Sequence, residues 1–184
     1  MKKLIIITGD LAAGKSTLAA SLGAELKIPF LTKDSLKEIA CDAIGFTNRE
    51  ENRRLSVSAT ESMIYMFNQM AIVDQDIILE ANFRNNEIRR IKAIADEYTY
   101  TVVLLSLTGE IHLLYQRFLD RLATRHVAHT SLNLDMSLDR FAEYIESIRN
   151  EDMLYPVHKI DMTYLDEDEV VEEALNIIHS ELGI

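Results

Sequence analysis

Within Gly9-Asp10-Leu11-Ala12-Ala13-Gly14-Lys15-Ser16-Thr17, near the start of the chain, the eight residues from Gly9 to Ser16 match the phosphate-loop pattern G-x-x-x-x-G-K-[ST] without a mismatch. Gly9 and Gly14 permit backbone angles and a close approach that a Cβ would block. The backbone N–H groups of the loop, those of Leu11, Ala12 and Ala13 among them, then point inward. Together with a helix N-terminus they form a nest for phosphate oxygens. Lys15 can reach the β- and γ-phosphates of a nucleotide, the Ser16 hydroxyl completes the pattern and can hold Mg²⁺, and Thr17 follows as a further candidate nucleotide-binding residue. A chance Gly-rich turn before a surface helix would give the same letters. The context argues against chance: a buried-strand pattern ends just before the loop, and a helical one opens from it.

Transfer of a phosphoryl group needs further residues. Asp34 lies just past the second predicted strand, in Thr32-Lys33-Asp34-Ser35-Leu36. Parallel strands end at one edge of a sheet, so Asp34 can face the γ-phosphate and accept the proton of an attacking hydroxyl. Asp is also a favoured helix N-cap, and one residue can serve both roles. Arg117, Arg121 and Arg125 recur every four residues on one helical face and run into an unpatterned stretch that begins at His126. A mobile, arginine-bearing lid over about 121–137 accounts for both features and would neutralise charge on the transferring group. The alternative is a solvated face paired with the chain's many acids. Glu80 ends the third predicted strand, where an acid can orient Mg²⁺ or its waters, and a structural role is the other reading. Asn82 and Arg84 follow at the same edge, placed to contact an acceptor or simply to make a turn. His126 and His129 are three apart, a weak metal pattern, and are read as lid residues.

The elements that must hold these groups read as an alternation. Leu4 to Ile7 is a short apolar run rich in β-branched residues, the mark of a strand buried on both faces. Further strands are expected at Ile28–Leu31, Ile77–Leu79, Thr101–Leu107 and His158–Met162. Helices are expected at Lys15–Leu26, Ser35–Ala43, Arg53–Ala71, Glu87–Tyr98, Ile111–Thr124, Leu138–Met153 and Glu167–Leu182. In the long third helix Val57, Met63, Phe67 and Met70 recur at helical spacing. Met63, Met66 and Met70, with Tyr65 and Phe67, read as its buried side rather than as an apolar acceptor pocket. Strands alternating with helices predict one three-layer α/β/α domain spanning 1–184 around a parallel sheet.

Composition narrows the classes. A formal net charge of −11 repels a phosphate backbone, which speaks against general nucleic-acid binding. The single cysteine, Cys41, forbids an intramolecular disulfide and fits a reducing compartment. The apolar run behind Lys2 and Lys3 is shorter than the roughly 7–15 residues of an export signal, and no stretch nears a membrane span. A cytoplasmic protein is expected.

Taken with Asp34, Glu80-Ala81-Asn82-Phe83 and the arginine stripe, the phosphate loop makes the chain resemble the P-loop kinases of the adenylate-kinase-like group. Within that group it looks closest to the branch of polynucleotide kinase, chloramphenicol phosphotransferase and zeta-toxin-type kinases. The resemblance implies a five-stranded parallel sheet in order 2-3-1-4-5, with a helical lid between the fourth strand and the last. It implies ATP with Mg²⁺ as donor and a hydroxyl-bearing small molecule as acceptor, handled by Asp34. It maps the lid arginines that contact donor phosphates onto Arg121 and Arg125, with Lys15 as the loop lysine. Arg117 would pack near the base, and Asp161-Met162-Thr163 would border the adenine, with Thr163 a cofactor-binding residue. Glu80 departs from the more usual Asp, and the arginine set of nucleoside monophosphate kinases is incomplete. The competing expectations are a nucleotide or nucleic-acid-end kinase, with Arg84 reading an acceptor phosphate, and a non-catalytic nucleotide switch. An N-K-x-D guanine pattern is missing from the chain.

Overall fold

A computed structural model describes residues 2–132 and 136–183, with the backbone alone at 130–132. Its centre is strand β1 (Lys3–Gly9), in which Leu4, Ile5, Ile6 and Ile7 have no exposed surface. Successive side chains of a strand point to opposite faces, and here both faces are covered. Ile5 and Ile7 pack into one apolar cluster, and Leu4 and Ile6 into another.

Around β1 stand β2 (Phe30–Thr32), β3 (Ile77–Glu80), β4 (Thr101–Thr108) and β5 (Val157–Asp161), all parallel, in the order β2-β3-β1-β4-β5. The order expected from the resemblance is the one observed. Helices α1 (Lys15–Leu26), α5 (Ile111–Arg121), α6 (Leu138–Arg149) and α7 (Glu167–Leu182) supply the cluster on the Ile5/Ile7 face. Helices α3 (Arg49–Ile72) and α4 (Asn85–Glu97) supply the Leu4/Ile6 face, and α2 (Lys33–Ile44) packs on α3. The register Ile7↔Glu80, Thr32↔Glu80, Gly9↔Leu107 and Thr108↔Asp161 brings all five strand ends to one edge. No helix among the described residues is long and apolar enough to cross a membrane.

The boundaries differ from expectation where capping decides them. Helix α2 starts at Lys33 because the Thr32 hydroxyl accepts from the Ser35 N–H (3.3 Å). Helix α3 starts four residues before Arg53 because the Asn48 side chain accepts from the Glu51 N–H (2.9 Å). Strand β2 begins only at Phe30: Lys27 turns left-handed (φ 56°) to close α1, and the Ile28 N–H still bonds back to the Gly23 carbonyl. Helix α6 ends at Arg149, ahead of the expected Met153, and Glu151 instead pairs with Arg84 across the sheet edge. On α3 the buried side runs through Leu55, Ala59, Met63, Phe67 and Ala71, in steps of four. Val57 and Tyr65 lie off that line and are exposed, and Met66 and Met70 are only half-buried. Tyr65 lines an open groove between α3 and α4 with Ile64, Asn68, Arg90 and Ile94.

Candidate functional site

The loop from Gly9 to Gly14 needs left-handed backbone at three places, Gly9 (φ 119°), Ala12 (φ 64°) and Gly14 (φ 84°). At Gly9 the requirement is also steric, since a Cβ would stand 2.1 Å from the Leu107 carbonyl oxygen and 2.6 Å from its nitrogen. At Gly14 a Cβ would meet nothing within 4 Å. Gly9→Ala is therefore expected to cost at least about 3 kcal/mol, roughly 6–12 °C in melting temperature, by forcing β1 and β4 apart. Gly14→Ala should cost only the left-handed strain of about 1–2 kcal/mol. Thermal denaturation of the two variants checks this, and equal losses would contradict it.

Lys15 is nearly buried, and its Nζ donates to the Asp10 carbonyl at 2.6 Å, which holds the side chain over the loop. Burial pushes its pKa down, while the carboxylates of Glu80, Asp34 and Asp10 pull it up and Arg121 pushes it down again. Those residues thus share one electrostatic neighbourhood. Ser16 Oγ donates to Glu80 Oε2 at 3.0 Å, and Glu80 is only 4% exposed. Burial raises the Glu80 pKa above the usual carboxylate range, Lys15 opposes the rise and Asp34 adds to it. A hydroxyl and a carboxylate hydrogen-bonded beside the Gly9–Gly14 loop are hard oxygen donors of the kind Mg²⁺ takes, so these residues fit that ion.

Thr32, and not Asp34, caps α2. Asp34 sits in the first turn with its side chain 58% exposed, and its carboxylate is left unspent on the cap. The register Thr32↔Glu80 sets this turn beside Glu80, and Asp34 acts electrostatically on Lys15, Glu80, Lys37, Arg125 and His129.

The three arginines do not form one helical stripe. Helix α5 ends at Arg121, which is exposed, and Arg125 lies beyond it in a turn, half-buried with its guanidinium 6.0 Å from the Phe118 ring centroid. Arg125 nevertheless feels Asp34, Arg121 and Glu38. Arg117 points elsewhere, its Nη1 donating to the Met162 sulfur at 3.0 Å. The expected lid over 121–137 includes 133–135, outside the described residues. Of the remainder, Val127–Leu132 forms a 3₁₀ helix where only an unpatterned connection is expected. The Ala128 carbonyl at its start accepts from Lys37 Nζ (2.7 Å) and Asn52 Nδ2 (3.0 Å), which ties it to α2 and α3. His126 Nε2 meets Asp42 Oδ1 at 3.0 Å and His129 Nε2 meets Glu38 Oε1 at 2.9 Å. His129 Nδ1 lies 3.9 Å from Asp34 Oδ1. The two histidines are thus spaced to meet Asp34, Glu38 and Asp42, an acid every four residues along α2. That spacing is visible in the sequence and is overlooked when the histidines are read alone.

Asn82 stands two residues past Glu80, and its Oδ1 is buried with no hydrogen-bond partner among the described residues. Arg84 turns away to pair with Glu151 Oε2 at 3.1 Å. On the β5 side, Thr163 Oγ1 accepts from the Glu110 N–H (2.9 Å) and donates to Asp161 Oδ1 (2.5 Å). Thr163 and Asp161, with Gly109, Glu110, Arg149 and Tyr164, line a cavity of about 390 Å³.

Among known proteins, no family model and no curated protein sequence matches the chain. Solved structures do. A presumed kinase from Chloroflexus aurantiacus is 27% identical, with a TM-score of 0.77 over 95% of this chain and 97% of its own. A gluconokinase from Sinorhizobium meliloti superposes with a TM-score of 0.62 at 17% identity, covering 97% of this chain and 92% of its own. A shikimate kinase from Aquifex aeolicus gives 0.60 at 16% identity, covering 98% and 99%. The chain has the three-layer fold that these P-loop kinases share.

Proposed function

We propose that the chain transfers the γ-phosphate of Mg·ATP to a hydroxyl group of a small-molecule acceptor. The observation that carries this reading is Asp34. It is a half-exposed carboxylate, free of capping duty, in the same electrostatic cluster as the loop lysine and Glu80. A nucleotide switch has no need of such a group, whereas attack by an alcohol does.

In this reading the loop N–H groups and Lys15 hold the donor phosphates. Ser16 would hold Mg²⁺ directly and Glu80 would orient its waters; the ion, when bound, neutralises phosphate charge. Asp34 orients the acceptor and takes its hydroxyl proton as the new O–P bond forms and the bond to the ADP oxygen breaks. Arg121 and Arg125 neutralise charge on the phosphoryl group from the 121–137 segment, acting as a lid. Arg117 and Thr163 border the base end of the nucleotide, toward the cavity beside β5. Asn82, with an unspent buried acceptor oxygen, suits a hydroxyl-bearing acceptor. Lys33 pairs with Glu87 and Arg84 with Glu151, which favours an acceptor without a phosphate of its own.

The test is ADP release against a panel of polyols, sugars and aromatic alcohols, with phosphate-bearing acceptors beside them. At least one non-phosphorylated alcohol is expected to stimulate release about a hundredfold or more over acceptor-free hydrolysis, and EDTA to abolish it. Slow hydrolysis indifferent to every acceptor would contradict the proposal.

A further inference from the structure

Asp10 occupies a position that the phosphate-loop pattern leaves free, yet its side chain has no exposed surface. Its carboxylate is held from two directions. Arg149 Nε donates to Oδ1 (3.1 Å) and Oδ2 (3.2 Å), and Arg149 Nη2 donates to Oδ2 (2.5 Å). The Gly109 N–H adds a bond to Oδ2 at 3.2 Å, and Arg149 Nη2 also donates to the Gly109 carbonyl at 2.7 Å. The main chain of Asp10 is fixed as well, its N–H to the Leu107 carbonyl (2.8 Å) and its carbonyl to Lys15 Nζ (2.6 Å). One residue therefore carries the loop lysine on its backbone and an arginine 139 positions away on its side chain.

Arg149 is the last residue of α6, the helix that returns from the 121–137 segment to the sheet edge. We infer that Asp10 and Arg149 form a positioning clamp that sets the phosphate loop, and the Lys15 tether on it, for nucleotide binding. The inference rests on the nucleotide-binding reading above. The planar guanidinium fork suits the job, since Nε and Nη2 together span both carboxylate oxygens and the Gly109 carbonyl, whereas an ammonium would have to serve all three from one nitrogen. Removing Arg149 leaves the buried Asp10 carboxylate uncompensated next to the loop, whereas removing Asp10 frees a guanidinium that is 35% exposed. Because Asp10 has no exposed atom, it acts on a bound nucleotide only through the position of the loop.

The test is titration of Mg·ATP against the full chain, followed with a fluorescent ATP analogue, in wild type, Asp10→Asn, Arg149→Met, Arg149→Lys and the Asp10→Asn/Arg149→Met pair. Melting temperatures are recorded beside the titrations. Each of Asp10→Asn and Arg149→Met is expected to raise Kd about tenfold or more, and the double variant to be no weaker than the worse single. Arg149→Lys keeps the charge and the fold and should still raise Kd about threefold to tenfold. Kd within about twofold of wild type in Arg149→Lys and the double variant, with melting temperature alone reduced, would reduce the pair to a fold contact and overturn the inference. Wild type that bound no Mg·ATP would remove the nucleotide reading and this inference together, whereas tight binding by every variant removes this inference alone.

Discussion

Asp34→Ala is expected to lower phosphoryl transfer by about 10²–10⁴-fold while leaving the Kd for Mg·ATP within about threefold of wild type. The split follows from where the side chain stands. Asp34 stands in the first turn of α2, is half-exposed, and makes no hydrogen bond to the Gly9–Gly14 loop among the described residues. The cap of α2 belongs to Thr32, so removing Asp34 costs the helix only its favourable charge in the first turn, about 0.3–1 kcal/mol. Removing a carboxylate near the donor phosphates can even tighten nucleotide binding slightly, since it lifts a repulsion. Asp34→Asn keeps the shape and loses the base, so it should fall nearly as far. Kinetics and nucleotide titration on the same preparations decide the matter. Equal loss of binding and transfer would end the role assigned to Asp34.

Lys15→Ala should instead remove both, raising the Kd for Mg·ATP about a hundredfold or more and taking transfer below detection. Lys15 is nearly buried, and the single hydrogen bond of its ammonium among the described residues is to the Asp10 carbonyl of the loop itself. A charge in so dry a place acts on a phosphate with little screening. The fold should survive, because burial already disfavours the charged lysine and its loss relieves that cost. A melting temperature close to wild type together with lost binding is the expected pair of results. Binding within about threefold of wild type would mean that the loop holds no phosphate.

Much of the frame is legible because short-range pattern decides it. The uninterrupted Leu4–Ile7 run gives away a strand covered on both faces, and G-x-x-x-x-G-K-S fixes the turn and helix after it. The strand order is another matter: it comes from family resemblance, since spacing alone does not say which strands are neighbours. Ends of elements are lost wherever a side chain chooses between cap and chemistry. Thr32 and Asp34 are both good caps, and only the bond from the Ser35 N–H to the Thr32 hydroxyl shows that Thr32 takes the role and leaves Asp34 free of it. Arg125 falls off the arginine stripe because α5 stops at Arg121. The Asp10–Arg149 pair links residues 139 apart and has no trace in any local pattern. Arg84 reads as either an acceptor contact or a turn residue, and its pairing with Glu151, just past the early end of α6, has no signal in the local sequence.

The most direct test of the central claim is transfer of labelled γ-phosphate from Mg·ATP into a pooled metabolite extract, with Lys15→Ala and Asp34→Ala beside wild type. The account predicts a labelled small-molecule product with wild type and none with either variant, and Asp34→Ala should still bind Mg·ATP. Tight Mg·ATP binding by wild type with no labelled product from any pool would contradict it.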